Sequence, residues 1–224
     1  MKRPMTSAVV AALLLTAALA AGQAAVASAG FQPPRDCDSG TTIFRDGPVR
    51  LLRIAGTIDG EQAWRHYVCS ARIRTPKRFN QTSPGTDEQL SAFHRGGRRV
   101  AFVDTLAGGD SFDQLLGTVD LRSGRRRLTG LRSRDEGPTV LAVVPDRDGG
   151  VAYLQDRFDD GAQRIGYAPA RPDGGLGVPR LRVRITGSRV VPGSLGISAG
   201  TITWTTRAGE RGSVPARERS GQGS

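Results

Sequence analysis

A recurring pair of apolar runs separated by a turn is the feature that most limits how this chain can fold. Residues 140–144 form one apolar run, residues 145–150 carry a cluster of Pro, Asp and Gly, and residues 151–154 form a second run. Short runs bounded by such residues predict a β-hairpin. Similar hairpins are predicted around residues 96–97 and 199–200. An aromatic residue occupies the second run of each hairpin, at intervals of 51 residues (102 to 153 and 153 to 204): Phe102, Tyr153 and Trp204.

Each hairpin is followed by a second apparent pair of strands, which predicts a unit of four strands over about 50 residues. The second pairs are predicted to turn at residues 75–76, 123–124 and 172–175. An earlier hairpin at residues 41–54 fits as a first copy in which the aromatic position is lost or moved. Helix signals are weak, because apolar residues recur at every second position and Gly or Pro interrupts most longer windows.

Four strands joined by Gly-rich turns are the composition of a propeller blade, a twisted meander that buries both faces by stacking on its neighbours. Over residues 40–216 the pattern resembles the secreted bacterial propeller repeats of the TolB-like and WD40-like group, although the Trp-Asp pair of WD40 blades is missing. The resemblance implies an all-β, β-propeller-like array of about four four-stranded blades, either closed or incomplete and open. Residues 41–44 would then complete the short last blade, and a β-sandwich is the structural alternative.

The N-terminal 29 residues are typical of a secretory signal peptide. Lys2 and Arg3 precede an apolar run at residues 8–21, and Ala27-Ser28-Ala29 is an A-x-A cleavage site that would leave Gly30 first. The apolar run is shorter than the ~20 residues that span a bilayer, so no transmembrane anchor is predicted. We therefore expect a secreted protein, found outside the cell or associated with the cell envelope.

Two cysteines, Cys37 and Cys69, remain after the signal is removed. In an oxidising compartment the simplest interpretation is a disulfide, which contributes about 3–4 kcal/mol for a loop of this length. It would attach the Pro-containing lead-in segment, residues 30–39, to the first hairpin unit. A metal pair or a reactive thiol is the alternative, but His66 and His94 are the only histidines, which makes a poor zinc set. Residues 217–224 are predicted to be a disordered tail.

Arginine clusters are the most distinctive surface feature. The net charge is +11, and loss of Lys2 and Arg3 with the signal leaves +9. Such a surface associates with anionic polymers or lipid headgroups, whereas a solvated edge strand protected by charge needs no ligand. Aromatic residues are 5% of the chain, too few for base-stacking platforms, so nucleic acid is not the expected partner. The candidate anion-binding residues are Arg98, Arg99, Arg125, Arg126, Arg127, Arg180, Arg182 and Arg184, the last three predicted on one strand face.

Catalytic signals are sparse, and no catalytic residue, metal or cofactor is predicted. No serine lies in the strand-to-helix G-x-S-x-G elbow of a hydrolase, because the one such sequence, around Ser198, belongs to the hairpin predicted at residues 199–200. The separation of loop carboxylates such as Asp104 and Asp113 cannot be derived from sequence. The acidic stretches at residues 146–150 and 156–161 fit either calcium loops or ordinary hairpin turns. The expected function is an exported, non-enzymatic binding or envelope-associated module that binds an anionic envelope polymer or another protein. The alternative is a secreted hydrolase or lyase on a propeller scaffold.

Overall fold

The computed structural model describes residues 31–71, 73–82, 87–108, 111–131, 139–156 and 161–217. The expected signal peptide and residues 218–224 of the expected tail lie outside these ranges. The described residues form 15 β-strands and one short 3₁₀ turn, so the all-β prediction is confirmed. Within these ranges no helix has the length and apolar character needed to cross a membrane.

The strands form four antiparallel sheets, each built from consecutive strands. The first sheet contains β1 (Thr41–Asp46), β2 (Val49–Ile58), β3 (Glu61–Ser70) and β4 (Ile73–Gln81). The second contains β5 (Asp87–Gly96), β6 (Arg99–Gly108), β7 (Ser111–Asp120) and β8 (Arg126–Gly130). The third contains β9 (Thr139–Pro145), β10 (Val151–Asp156), β11 (Gln163–Ala168) and β12 (Arg180–Ile185). The fourth contains β13 (Gly196–Ser198), β14 (Thr201–Thr205) and β15 (Arg211–Pro215).

Two details of the strand prediction are wrong. Strand β4 already begins at Ile73, directly after the end of β3 at Ser70, and Pro76 lies inside β4. There the β3–β4 register shifts and Pro76 has no partner. A proline is tolerated there because β4 is the last strand of its sheet and its missing N–H breaks no ladder bond. The fourth sheet also receives no strand from the N-terminus, because β1 pairs with β2 in the first sheet.

The hydrophobic core is divided among the interfaces between consecutive sheets. One cluster joins the first and second sheets through Leu51, Val68 and Phe102, among others. A second joins the second and third sheets, and a third joins the third and fourth sheets. None of the hydrophobic clusters formed by the described residues contains residues of both the first and the fourth sheet.

The three aromatic residues at 51-residue intervals are buried, with exposed fractions of 0% for Phe102, 4% for Tyr153 and 9% for Trp204. Each lies on the second strand of its sheet. Each also pairs with a glycine on the third strand, at Gly117, Gly166 and Gly212. A Cβ on any of these glycines would overlap the partner ring, so the ring occupies the space that a side chain would fill.

The first sheet has a different pair at this place. On the side of the first sheet that faces away from the second, Leu52 pairs with Tyr67, and both side chains are buried. The aromatic residue therefore lies on the third strand opposite a leucine, whereas in the other three sheets it lies on the second strand opposite a glycine. The aromatic expected in the first hairpin has thus moved to the next strand.

The lead-in segment covers the outer side of the first sheet. Cys37 and Cys69 form the predicted disulfide, with their Cα atoms 5.8 Å apart, and they pack with Leu52 and Tyr67 in a separate cluster. The Phe31 ring lies against Gly56, where a Cβ would overlap it. On the fourth sheet, by contrast, the side chains that alternate with Ile202 and Trp204 are hydroxyl groups, and Thr203 and Ser213 are exposed.

Candidate functional site

Turns from the four sheets lie beside one another and form a surface that we call the turn face. It consists of the turns between first and second strands (46–49, 96–99, 145–151 and 198–201) and two turns between third and fourth strands (70–73 and 120–126). Glycine permits two of the tight turns, since Gly47 and Gly97 have φ values of 56° and 57°.

Side chains and backbone connect each turn to the next. Arg95 Nη1 donates to the backbone oxygen of Asp46 at 3.3 Å and lies 3.5 Å from its Oδ2. Gly96 packs so closely on Pro145 that a Cβ would overlap the proline. Arg99, which is 7% exposed, donates from Nη1 to the backbone oxygen of Arg147 at 2.7 Å. These contacts fix the relative positions of the turns in the first three sheets.

Asp120 and Asp148, two aspartates of the turn face, are already paired with arginines of the chain. Arg98 Nε lies 3.1 Å from Asp120 Oδ2. Burial alone would raise the pKa of Asp120, but hydrogen bonds from Ser123 and Arg122 and the charge of Arg98 outweigh burial and hold that pKa below its usual value. Asp148 pairs with Arg217 at 3.0 Å.

The acidic stretch at residues 146–150, which fits either a calcium loop or an ordinary turn, forms the turn between β9 and β10. The Tyr167 hydroxyl donates to Asp146 Oδ2 at 2.8 Å, and the backbone N–H of Gly149 donates to the backbone oxygen of Asp146 at 3.0 Å. Among the residues that the structure describes, no three His, Cys, Asp or Glu side chains are grouped to hold a metal ion. Asp156 pairs with Arg189, while the other acids of residues 156–161 lie outside the described residues.

Three described arginines of the turn face take no part in these ion pairs. In the part of the chain that the structure describes, the guanidinium groups of Arg122, Arg125 and Arg147 have no carboxylate partner, and all three residues are exposed. The turn face therefore carries uncompensated positive charge in water. Such groups attract anions without first having to break an ion pair.

The eight arginines predicted as anion-binding residues do not form one site. Arg98 and Arg125 are exposed on the turn face, whereas Arg99 and Arg127 surround Gly149 and support its turn. Arg126 points into the interface between the first two sheets, where it donates to Asn80 Oδ1. Adjacent arginines in the sequence thus have different roles, because successive side chains of a strand point to opposite faces.

The predicted alternation along β12 is interrupted. Val183 pairs with Ile165 and Leu181 pairs with Gly166, so Arg182 is an extra residue in a bulge. The expectation of Arg180, Arg182 and Arg184 on one face is therefore wrong, because period-two alternation does not continue through a bulge. Leu181 is 50% exposed as a result, instead of packing beside Val183.

Two clefts open on the turn face. The first cleft, about 370 Å³, lies between the first and second sheets and is lined by Pro48, Val49, Ser70, Ala71, Arg95, Gly97, Arg98, Leu121 and Arg122. The second cleft, about 470 Å³, lies between the third and fourth sheets and includes Asp146, Arg147, Asp148, Arg217 and residues 197–200. Of the lining residues that the structure describes, two acids and two arginines balance in the second cleft, whereas those of the first cleft include three arginines and no acid.

A buried polar cluster lies inside the interface of the first two sheets. Asn80 Nδ2 donates to Glu88 Oε1 at 2.5 Å and lies 3.5 Å from His66 Nδ1. Arg126 Nη1 lies 3.7 Å from Asp104 Oδ2. The sequence draws attention to His66 and Asp104 but gives no signal for Asn80 or Glu88, whose positions depend on sheet packing. One sequence signal was available for Asp104. It lies two residues after Phe102, so both side chains point to the same face of the strand.

The cluster shifts two pKa values in opposite senses. Burial, with the charges of Arg53 and Arg126, lowers the pKa of His66 to about 4. Burial raises the pKa of Asp104 to about 7, and the negative charge of Glu88 and a hydrogen bond with Glu88 act in the same direction. The positive charge of Arg126 opposes this shift. His66 and Asp104 are 2% and 1% exposed, so a substrate does not reach them in this conformation. This arrangement gives the hydrolase or lyase alternative no support.

The two groups should have opposing effects on stability. Between pH about 4 and its usual pKa of 6.5, His66 is protonated in the unfolded chain but not in the folded chain, so its contribution to stability rises with pH over this range. From its usual pKa of 3.8 to about 7, Asp104 keeps its proton only in the folded chain, so its contribution falls as pH rises. We therefore expect Asp104→Asn to reveal a rise in unfolding free energy of roughly 2–3 kcal/mol between pH 4 and 6.5.

Urea denaturation at several pH values measures this effect. His66→Gln should give the opposite slope, and the exposed Asp113→Asn should leave the wild-type profile unchanged. If Asp104→Asn and the wild type have parallel profiles, Asp104 does not titrate in the way described.

Comparison with protein-family models, curated proteins and solved structures finds no match to this chain.

Proposed function

We propose that the protein is an exported, non-enzymatic binding module, built as an open β-propeller-like array, that holds an anionic polymer of the cell envelope on its turn face. The pattern of Lys2, Arg3 and the A-x-A site supports export. The observation that carries the binding proposal is the excess of guanidinium groups over free carboxylates on the turn face.

The packing of the first strands supports the propeller-like arrangement. The rings of Phe44 on β1 and Phe93 on β5 are 5.5 Å apart. Strand β5 also packs beside β9, and β9 beside β13. In a propeller the first strand of every blade lies next to the axis, so neighbouring first strands meet in the same way.

The two end sheets support an open array. In a closed ring the outer side of the fourth sheet would pack on the outer side of the first. Instead, the lead-in segment and its disulfide cover the first sheet, and the fourth sheet presents Thr203 and Ser213 to solvent. Polar or covered terminal units are how stacked arrays remain soluble.

Binding of the purified protein to dextran sulfate tests the proposal, with neutral dextran as the ligand control. We expect binding that weakens strongly as salt rises, because exposed charges are screened. The triple variant Arg122→Gln/Arg125→Gln/Arg147→Gln should reduce the affinity at least about tenfold, as expected for the loss of several charge-assisted contacts. The loss should be large because none of these three guanidinium groups pairs with a carboxylate of the described residues.

The matched control is Arg78→Gln/Arg207→Gln/Arg211→Gln, which removes the same charge from exposed positions away from the turn face. Equal losses in the two triple variants would mean that only net charge matters, and the turn face would not be the binding surface. Absence of any salt-sensitive binding would reject the proposed function altogether.

A further inference from the structure

We propose that the first cleft binds one phosphodiester group of a polyol-phosphate chain, so that the polymer runs across the turn face between the first and second sheets. This inference rests on the proposed function and specifies the ligand chemistry of one part of that surface. The cleft combines three features: convergent guanidinium groups, a net single positive charge, and an apolar floor.

The guanidinium groups come from two separate hairpins. Arg95 lies near the end of β5 and Arg98 in the turn that follows it, whereas Arg122 lies in the turn between β7 and β8. Asp46 orients Arg95 and Asp120 orients Arg98, while Arg122 has no acidic partner among the described residues. Two arginines are thus held in place before binding and the third is available, which lowers the entropic cost of holding an anion.

The charge of the site fits a singly charged oxyanion. Among the described residues, the three guanidinium groups of the cleft and the two aspartates that pair with them leave a net charge of +1. A phosphodiester carries one negative charge, whereas a phosphate monoester carries nearly two at neutral pH. A diester is therefore neutralised by the cleft without the release of Asp46 or Asp120 from its arginine.

The floor and shape of the cleft fit a chain better than a lone ion. Pro48, Val49, Ala71 and Leu121 give an apolar floor, and Ser70 Oγ is already engaged because it donates to the Leu121 oxygen at 3.2 Å. A volume of about 370 Å³ leaves room beside one anionic group for its carbon-bearing neighbours. The alkoxy arms of a diester place carbon on both sides of the charge, which a free ion or a terminal sulfate does not.

A charge-neutral block of the cleft separates this inference from the proposed function. Ala71→Trp fills the cleft from an exposed position, and Ala208→Trp on the exposed β14–β15 turn is the matched control. The probes are poly(glycerol phosphate), polygalacturonate and dextran sulfate. We expect Ala71→Trp to weaken binding of poly(glycerol phosphate) about tenfold and of the other two polymers less than about twofold, and Ala208→Trp to change none of them.

The outcomes differ clearly. If the arginine triple variant weakens binding but Ala71→Trp does not, the turn face binds anions and the cleft assignment is wrong. If Ala71→Trp weakens all three polymers equally, the cleft holds anions without selecting phosphodiesters, which also overturns the inference. If no polymer binds, the proposed function fails together with it. Circular dichroism of each variant confirms that the sheets are retained.

Discussion

Replacement of Phe102 by alanine is expected to lower the free energy of unfolding by about 3–5 kcal/mol, the cost of deleting a large buried aromatic side chain. Phe102 is fully buried between the first two sheets, 5.7 Å from the Phe79 ring. Tyr153→Ala and Trp204→Ala should also lower the free energy of unfolding, because those rings occupy matching positions in the next two sheets. Urea denaturation of the three variants measures the effect.

A compensating change tests whether the ring and its glycine act as a unit. Gly117→Ala should cost about 1–3 kcal/mol because its Cβ would overlap the Phe102 ring. Phe102→Leu should also destabilise, by leaving part of the ring volume empty. In the double variant Phe102→Leu/Gly117→Ala the alanine Cβ fills part of the space that the ring leaves, so this variant should be more stable than the sum of the single effects by about 1 kcal/mol or more.

Additive effects in this cycle would contradict the pairing. Gly130→Ala is the matched control, because a Cβ there lies within ordinary contact distance of Leu115 only. It should leave stability nearly unchanged and show no coupling to Phe102→Leu.

Loss of the Cys37–Cys69 disulfide is expected to lower the free energy of unfolding by about 3–4 kcal/mol. The double variant Cys37→Ser/Cys69→Ser should also release the lead-in segment, because the other contacts that hold it are non-covalent. They include the Phe31 ring, which lies on Gly56 and under the Arg65 guanidinium, and the hydrogen bonds of Arg50 to the Cys37 oxygen and Asp38. The cluster of Leu52 and Tyr67 would then be exposed to water. Limited trypsin digestion should cut after Arg35, which is exposed, much faster than in the wild type.

The control for this prediction is Phe31→Ala, which removes the aromatic contact and keeps the disulfide. It should cost less than the double serine variant and leave the rate of cleavage after Arg35 closer to that of the wild type. A destabilisation below about 1 kcal/mol in the double variant would show that the bond constrains little of the folded chain.

The sequence was informative about the fold wherever local chemistry decides the outcome. Glycines with positive φ mark the turns at Gly47 and Gly97, and alternating apolar residues mark the strands between them. Pro76 misled the prediction because a proline marks a turn in most settings but is also tolerated on a terminal strand. The bulge at Arg182 left no local signal, because an extra residue in one strand is visible only when its partner is known.

The candidate site was harder to predict than the fold. Arg125, Arg126 and Arg127 are one cluster in the sequence, yet the first is exposed, the second enters the buried polar cluster, and the third supports a neighbouring turn. Three identical side chains in a row differ only in where the strand directs them. The first cleft depends on contacts between residues of separate sheets, such as Arg95 with Asp46, and no pattern within one segment reveals those.

Every sheet is made of consecutive strands, and this has a consequence for how the chain acquires its structure. A sheet can form as soon as its own residues are available, because none of its strands comes from a distant part of the chain. The sheets can therefore form in order, from the first residue made or translocated to the last. Cys69 lies at the end of β3, so the disulfide can close before the second sheet has emerged, and each later sheet then finds a finished surface on which to pack.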